Sequence, residues 1–142
     1  QSELYSMLVR GIKGDSLLRL IERRLRQQLP GFAPPVTEWA ALVLPLSPSV
    51  KWANVKTMLG AWTTSARLHE PFLKPCVFGC TAHDQWAHYL VCMPLWLAVL
   101  ECVGLPCLAD PAQRIGICML THDGPRALSI AFSVYHYSKT PE

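Results

Sequence analysis

The sequence predicts a mainly α fold, as a small irregular helical domain. Three observations carry that prediction. Apolar residues recur at helical spacing in several stretches, start and stop residues flank those stretches, and no strand is evident. The chain has 142 residues, 51% hydrophobic and 16% charged. That is enough to bury a core without crosslinks, and it argues against wholesale disorder. A formal charge of +3 permits contact with nucleic acid but does not demand it. Twelve prolines and eight glycines punctuate the chain.

The clearest helix is DSLLRLIERRLRQQL, residues 15–29. Asp15 or Ser16 can cap it. Leu17, Ile21, Leu25 and Leu29 recur every fourth residue, and Arg19, Glu22, Arg23 and Arg26 occupy the other side. Pro30-Gly31 stops it. The arginines read either as a solvated face or as a strip that faces phosphates. A Pro-rich connector follows over 30–48, within which TEWAALVL has the pattern for one or two helical turns. Ser47 as cap and Pro48 at the first position open the next helix, predicted to run through SVKWANVKTMLGAWTTSARL. Trp52, Val55, Leu59 and Trp62 form its predicted apolar stripe, with Lys51 and Lys56 off it and Gly60 a weak point. The stripe reads as core ahead of a base-stacking platform.

Asp84 is a predicted cap for a helix holding His88 and Cys92, and Pro94 kinks or restarts that helix. LWLAVLECVG continues it to Gly104. Asp110-Pro111 opens a predicted short helix. Asp123-Gly124-Pro125 opens another, RALSIAFSVYHYSK, with Leu128, Ala131, Phe132 and Tyr135 on one face. His136 reads as a surface or core histidine, and Asp123 beside His122 as a local turn.

Six cysteines, at 76, 80, 92, 102, 107 and 118, all fall in the second half. Even parity would allow three disulfides in an oxidising compartment. A helical chain with ample apolar residues instead favours a reducing intracellular one: nucleus, cytoplasm or an organelle. The spacing Cys76-x3-Cys80-x7-His88-x3-Cys92 suits tetrahedral zinc. A short loop with Gly79 brings the first pair together, and one helical turn puts His88 and Cys92 on the same face. Cys102, Cys107 and Cys118 have no such spacing and are assigned to the core. Other readings compete. The cysteines can be plain core residues. His83 can replace His88 as ligand. Residues 89–109 have the length of a membrane span, although Pro94, Glu101 and Pro106 interrupt it. On the zinc reading, residues 1–47 form a helical linker segment with its connector, and 48–142 a helical zinc-binding region. The ends, Gln1 and Thr140-Pro141-Glu142, read as cuts in a longer product, and no signal peptide is evident.

AWTTSARLHEPFLKPCVFGCTAHDQWAHYLVCMPLW, residues 61–96, resembles the zinc-binding region that follows the polymerase domain in non-LTR retrotransposon reverse transcriptases. There a Trp-bearing helix and a basic turn precede a Cys-Cys-His-Cys knuckle, with the His in a D-x-x-x-H context and a Pro soon after the last Cys. The matching residues are Trp62, Arg67, Cys76, Cys80, Asp84, His88, Cys92 and Pro94. ALSIAFSVYHYSK is similar to the closing helix of such reading frames. The commoner family form has two residues between the cysteines and four between His and Cys, where this chain has three in both gaps. The polymerase part is missing: no Tyr/Phe-x-Asp-Asp occurs, and the ten acidic residues are scattered. No phosphate loop, G-x-S-x-G or H-E-x-x-H occurs either.

The resemblance implies a noncatalytic, zinc-stabilised module that holds the backbone of RNA or DNA. Arg19, Arg23, Arg24, Arg26, Lys51, Lys56 and Arg67 are the expected phosphate contacts. The other class of reading is a captured retroelement fragment serving as a structural subunit of a large protein assembly, even a membrane-associated one. Low charge, five tryptophans and many prolines suit a protein buried among partners.

Overall fold

The computed structural model describes residues 14–31, 33–104 and 123–139. Among them the chain forms α1 (Gly14–Gln28), α2 (Val36–Val43), α3 (Pro48–Met58), α4 (Trp86–Tyr89), α5 (Met93–Val103) and α6 (Gly124–Lys139). No strand occurs among the described residues. Pro75 and His83 make one isolated antiparallel bridge.

α1 follows its periodicity. Ile21 and Leu25 are fully buried, and Leu17, Leu18 and Leu29 pack beside them. Arg19, Arg23, Arg24 and Arg26 are exposed. Arg26 meets Glu22 one turn back at 2.7 Å, an exposed pair worth about 0.3–0.5 kcal/mol. α2 turns Trp39 and Val43 inward. It packs on α1 and α3.

α3 starts at Pro48 behind Ser47, as predicted, but ends at Met58. The stop is local. Gly60 adopts φ +62°, Gly60 N–H donates to Thr57 O at 3.0 Å, and Ala61 N–H donates to Lys56 O at 2.7 Å. This is the Schellman arrangement, which satisfies the last carbonyls and turns the chain.

The predicted stripe on α3 needs correction. Its buried residues are Ala53, Asn54, Val55, Thr57 and Met58, whereas Trp52 and Leu59 are half-buried. The reason is the partner: α3 packs against α6, and Asn54 Nδ2 donates to Pro125 O at 2.6 Å and to Val50 O at 2.9 Å. Thr57 is satisfied within the helix through Ala53 O at 2.8 Å, and it receives Trp62 Nε1–H at 3.0 Å. Trp62 therefore reaches the core from beyond the helix end.

Pro94 restarts rather than kinks. Cys92 caps α5, Pro94 lies in its first turn, and Gly104 at φ +67° closes it. Leu95, Trp96, Val99 and Leu100 are buried. Cys102, expected in the core, is exposed, because the buried side of α5 faces α6 and Cys102 lies off it. Cys107, Cys118 and the helix predicted from Asp110 lie outside the described residues. α6 buries Ala127, Leu128, Ala131 and Tyr135 as its pattern predicted. One core cluster joins Ile21 and Leu25 of α1 to Tyr135 of α6. No helix among the described residues is long and apolar enough to cross a membrane.

Candidate metal centre

The segment from Lys74 to Cys92 folds as a narrow hairpin followed by the four-residue helix α4 and a turn. Asp84 N–H donates to Lys74 O at 2.8 Å, and Cys76 N–H donates to Ala82 O at 2.9 Å. These bonds clamp the ends of a loop that carries Cys76 and Cys80. Inside it, Gly79 N–H turns back onto Cys76 O at 3.2 Å, with Gly79 at φ +79°. That left-handed conformation suits glycine. Phe78 N–H donates to Cys76 Sγ at 3.4 Å.

His88 comes from α4, and Cys92 is the cap of α5. The expectation that one helical turn carries both is therefore wrong in detail. The chain breaks helix between them, with Val91 N–H on His88 O at 2.8 Å. The two side chains still converge. Ligand atoms of Cys76, Cys80, His88 and Cys92 all lie within 4.8 Å of one another. His83, the alternative ligand, is exposed and stays outside this group.

The spacing of the sulfurs is informative. Cys76 Sγ and Cys92 Sγ are 3.8 Å apart, and Cys80 Sγ and Cys92 Sγ are 3.6 Å apart. A disulfide would need ~2.0 Å. Thiolates ~2.3 Å from a tetrahedral zinc stand roughly 3.8 Å apart. His88 Nε2 is buried without a hydrogen-bond partner, a costly orphan unless something else binds it. Burial holds the His88 imidazole below its ordinary pKa, against the pull of the Asp84 charge. It is therefore the neutral form that ligates metals. Burial pushes the Cys92 thiol up to about 12, with Cys80 and Cys76 adding to the rise. Metal binding would displace that proton. Three sulfurs, one orphaned imidazole nitrogen and a closed, largely buried setting fit a structural metal.

Asp84 is the residue whose role sequence reasoning missed. It was read as a helix cap, yet Gln85 occupies the cap position of α4. Asp84 is fully buried. Its carboxylate accepts from Ser65 N–H at 2.7 Å, Tyr89 Oη at 2.8 Å, Tyr135 Oη at 3.0 Å and Lys139 Nζ at 2.7 Å. Burial raises its pKa, but the bonds from Lys139, Ser65 and Tyr89 outweigh burial and leave it below the ordinary carboxylate range. Burial and the bond to Asp84 hold both tyrosines protonated, as donors. Above them Trp62 stacks on Tyr89 at 5.6 Å between ring centres. The hairpin is thus tied to α6 and to the turn after α3. The signal available in the sequence was the four-residue separation from His88.

The seven predicted phosphate contacts are spread over the surface. The four arginines are exposed on α1, and Arg67 is exposed in the turn after α3, where its Nη1 donates to Ala61 O at 3.3 Å. Lys51 and Lys56 are half-buried. The Lys56 ammonium sits 4.8 Å from the Trp52 ring centre and 5.5 Å from that of Phe132. Partial burial and the Arg67 charge lower its pKa.

Cys102 provides an internal control. Cys102→Ser should leave metal content unchanged and shift stability by no more than about 0.5 kcal/mol, as befits an exposed helical position. Metal analysis and thermal melting check both. Loss of metal in this variant would show that the ligand set is misassigned.

No protein-family model, curated protein or solved structure matches the chain.

Proposed function

We propose that the chain is a noncatalytic, zinc-stabilised nucleic-acid-binding module of a retroelement reverse transcriptase or of a derivative of one. The observation that carries this reading is the convergence of Cys76, Cys80, His88 and Cys92 on one centre around an orphaned imidazole nitrogen. Zinc is the metal chosen because three thiolates and one imidazole form a soft, closed, four-coordinate set. The exposed arginines of α1 and Arg67 supply the phosphate contacts.

Binding of a labelled oligonucleotide measured at several salt concentrations tests the proposal. The affinity should fall steeply, with the logarithm of the binding constant linear in the logarithm of salt. The slope should be about −0.7 to −0.9 per phosphate neutralised. Absence of binding at low salt rejects the proposal.

A second reading has its own observation. Leu68, Phe72 and Leu73 are 54%, 83% and 46% exposed within one short loop. Clustered apolar residues of this kind mark contact surfaces, and they suit a structural subunit of a larger protein assembly. On that reading the arginines make no phosphate contact, and the same titration separates the two.

A further inference from the structure

A cleft of 630 Å³ opens between α1, the turn after α3 and the start of α4. Arg24 and Gln28 line it from α1, Leu59 and Arg67 from the turn, and Gln85 from the residue before α4. No carboxylate among the described residues lines it. Among the described residues, neither Arg24 nor Arg67 is in an ion pair. Two arginines therefore line one concavity with no carboxylate counter-charge among the described residues.

The cleft also carries chemistry that phosphate alone does not need. Gln28 and Gln85 offer two amides, each with donors and an acceptor. Leu20 and Leu59 give apolar wall. Gly60 makes room for one of the amides: a Cβ there would lie 3.1 Å from Gln28 Nε2. The volume falls in the ~300–1,000 Å³ range of small-molecule sites. Cationic groups for phosphate, amides for a base edge and apolar wall for a base face together match a nucleotide whose base is free.

Resting on the nucleic-acid reading above, we propose that this cleft takes one unpaired nucleotide, so that the chain prefers single-stranded to duplex nucleic acid. The preference is diagnostic because charge alone predicts none in that direction. Duplex DNA is the more densely charged polymer, and a merely basic surface binds it at least as well. In a duplex, however, the base edges are paired and the faces stacked, so the amides and the apolar wall find nothing to hold. Selection of the single strand must come from the base.

Fluorescence anisotropy on the zinc-loaded 142-residue chain tests the proposal. The probes are a labelled single strand of about 12 nucleotides and the same sequence in a duplex, at one ionic strength. The single strand should bind on the order of tenfold tighter, the scale of one base contact. Arg24→Gln and Gln85→Ala should shrink that ratio towards one. Arg23→Gln removes the same charge from the neighbouring exposed position outside the cleft. It should weaken both probes alike and keep the ratio. Zinc content and near-ultraviolet circular dichroism establish that each variant is folded. Equal binding of the two probes by the parent chain, or identical behaviour of Arg23→Gln and Arg24→Gln, overturns the cleft while leaving the nucleic-acid reading standing. No binding of either probe at low salt overturns both.

Discussion

On the zinc reading, removing the metal with a chelator should lower the melting temperature by roughly 10–20 °C. A ligand held by the folded state alone and present at about 1,000 times its dissociation constant stabilises by about 4 kcal/mol, and each kcal/mol moves the midpoint of a chain this size by a few degrees. Structural zinc binds tightly enough for that figure to be conservative. The loss should begin in the hairpin. Without metal, nothing bridges the three sulfurs, and the Cys92 thiol is pushed up to about 12 by burial and by Cys80 and Cys76. His88 keeps a buried nitrogen without a partner. The loop has Val77 and Phe78 as its own apolar material, both partly buried against the core. Hydrogen exchange should therefore rise first over 74–92. His88→Ala should bind zinc less tightly than the parent chain. Equal zinc in His88→Ala and the parent, or a melting temperature indifferent to chelation, would overturn the proposed zinc site and the proposed function with it.

Asp84→Ala should cost about 3–5 kcal/mol, a large share of the ~5–15 kcal/mol by which a domain of this kind is stable. The substitution leaves the Lys139 ammonium, two tyrosine hydroxyls and the Ser65 N–H without their shared acceptor. Each was desolvated on the condition that the carboxylate was there. Asp84→Asn should fall between, because an amide keeps the shape and one acceptor oxygen but loses the charge. If Asp84→Ala melts within a degree of the parent, the buried network has been misjudged. The acid behaviour carries a second signature. The folded pKa of Asp84 lies below the ordinary value of about 3.9. As pH falls, the unfolded chain takes the proton first, so this contribution is complete above that ordinary value. It is lost as pH falls through the lower folded value. The parent should therefore lose stability more steeply than Asp84→Asn in that acid window. Chemical unfolding at a series of pH values measures both slopes, and metal release enters the two proteins alike.

These two effects are linked through the fold. The hairpin that carries Cys76 and Cys80 closes through Asp84 N–H, and the side chain of the same residue holds α6 through Tyr135 and Lys139. The proposed metal grips one side of the hairpin and the carboxylate grips the other. Lys139 Nζ also donates to Thr63 O at 2.8 Å, which draws the end of α6 against the turn after α3. That turn carries Arg67, which lines the cleft together with Arg24. Losing either grip should loosen the surface on which binding is proposed.

The helices were legible wherever short-range rules decide them. Ile21 and Leu25 fall inward because they stand four apart on a stretch long enough to form α1. Ser47-Pro48, Gly104 and Asp123-Gly124-Pro125 mark ends through backbone geometry that their own residues impose. The set Cys76, Cys80, His88 and Cys92 was legible because few other roles put those side chains at those intervals. What the sequence left open is who faces whom across long separations. The bonds to Asp84 from Ser65, Tyr135 and Lys139 span 19, 51 and 55 residues, and no local pattern encodes such partners. The buried face of α3 is Asn54, Val55, Thr57 and Met58 rather than Trp52 and Leu59, because α6 is its neighbour and Pro125 offers Asn54 an acceptor. His88 and Cys92 meet from two short elements instead of one helix turn. Periodicity and capping are properties of backbone over a few residues, and the sequence determines them alone. The choice of a buried polar partner, and of the face a helix turns inward, depends on packing that exists only once the chain has closed on itself.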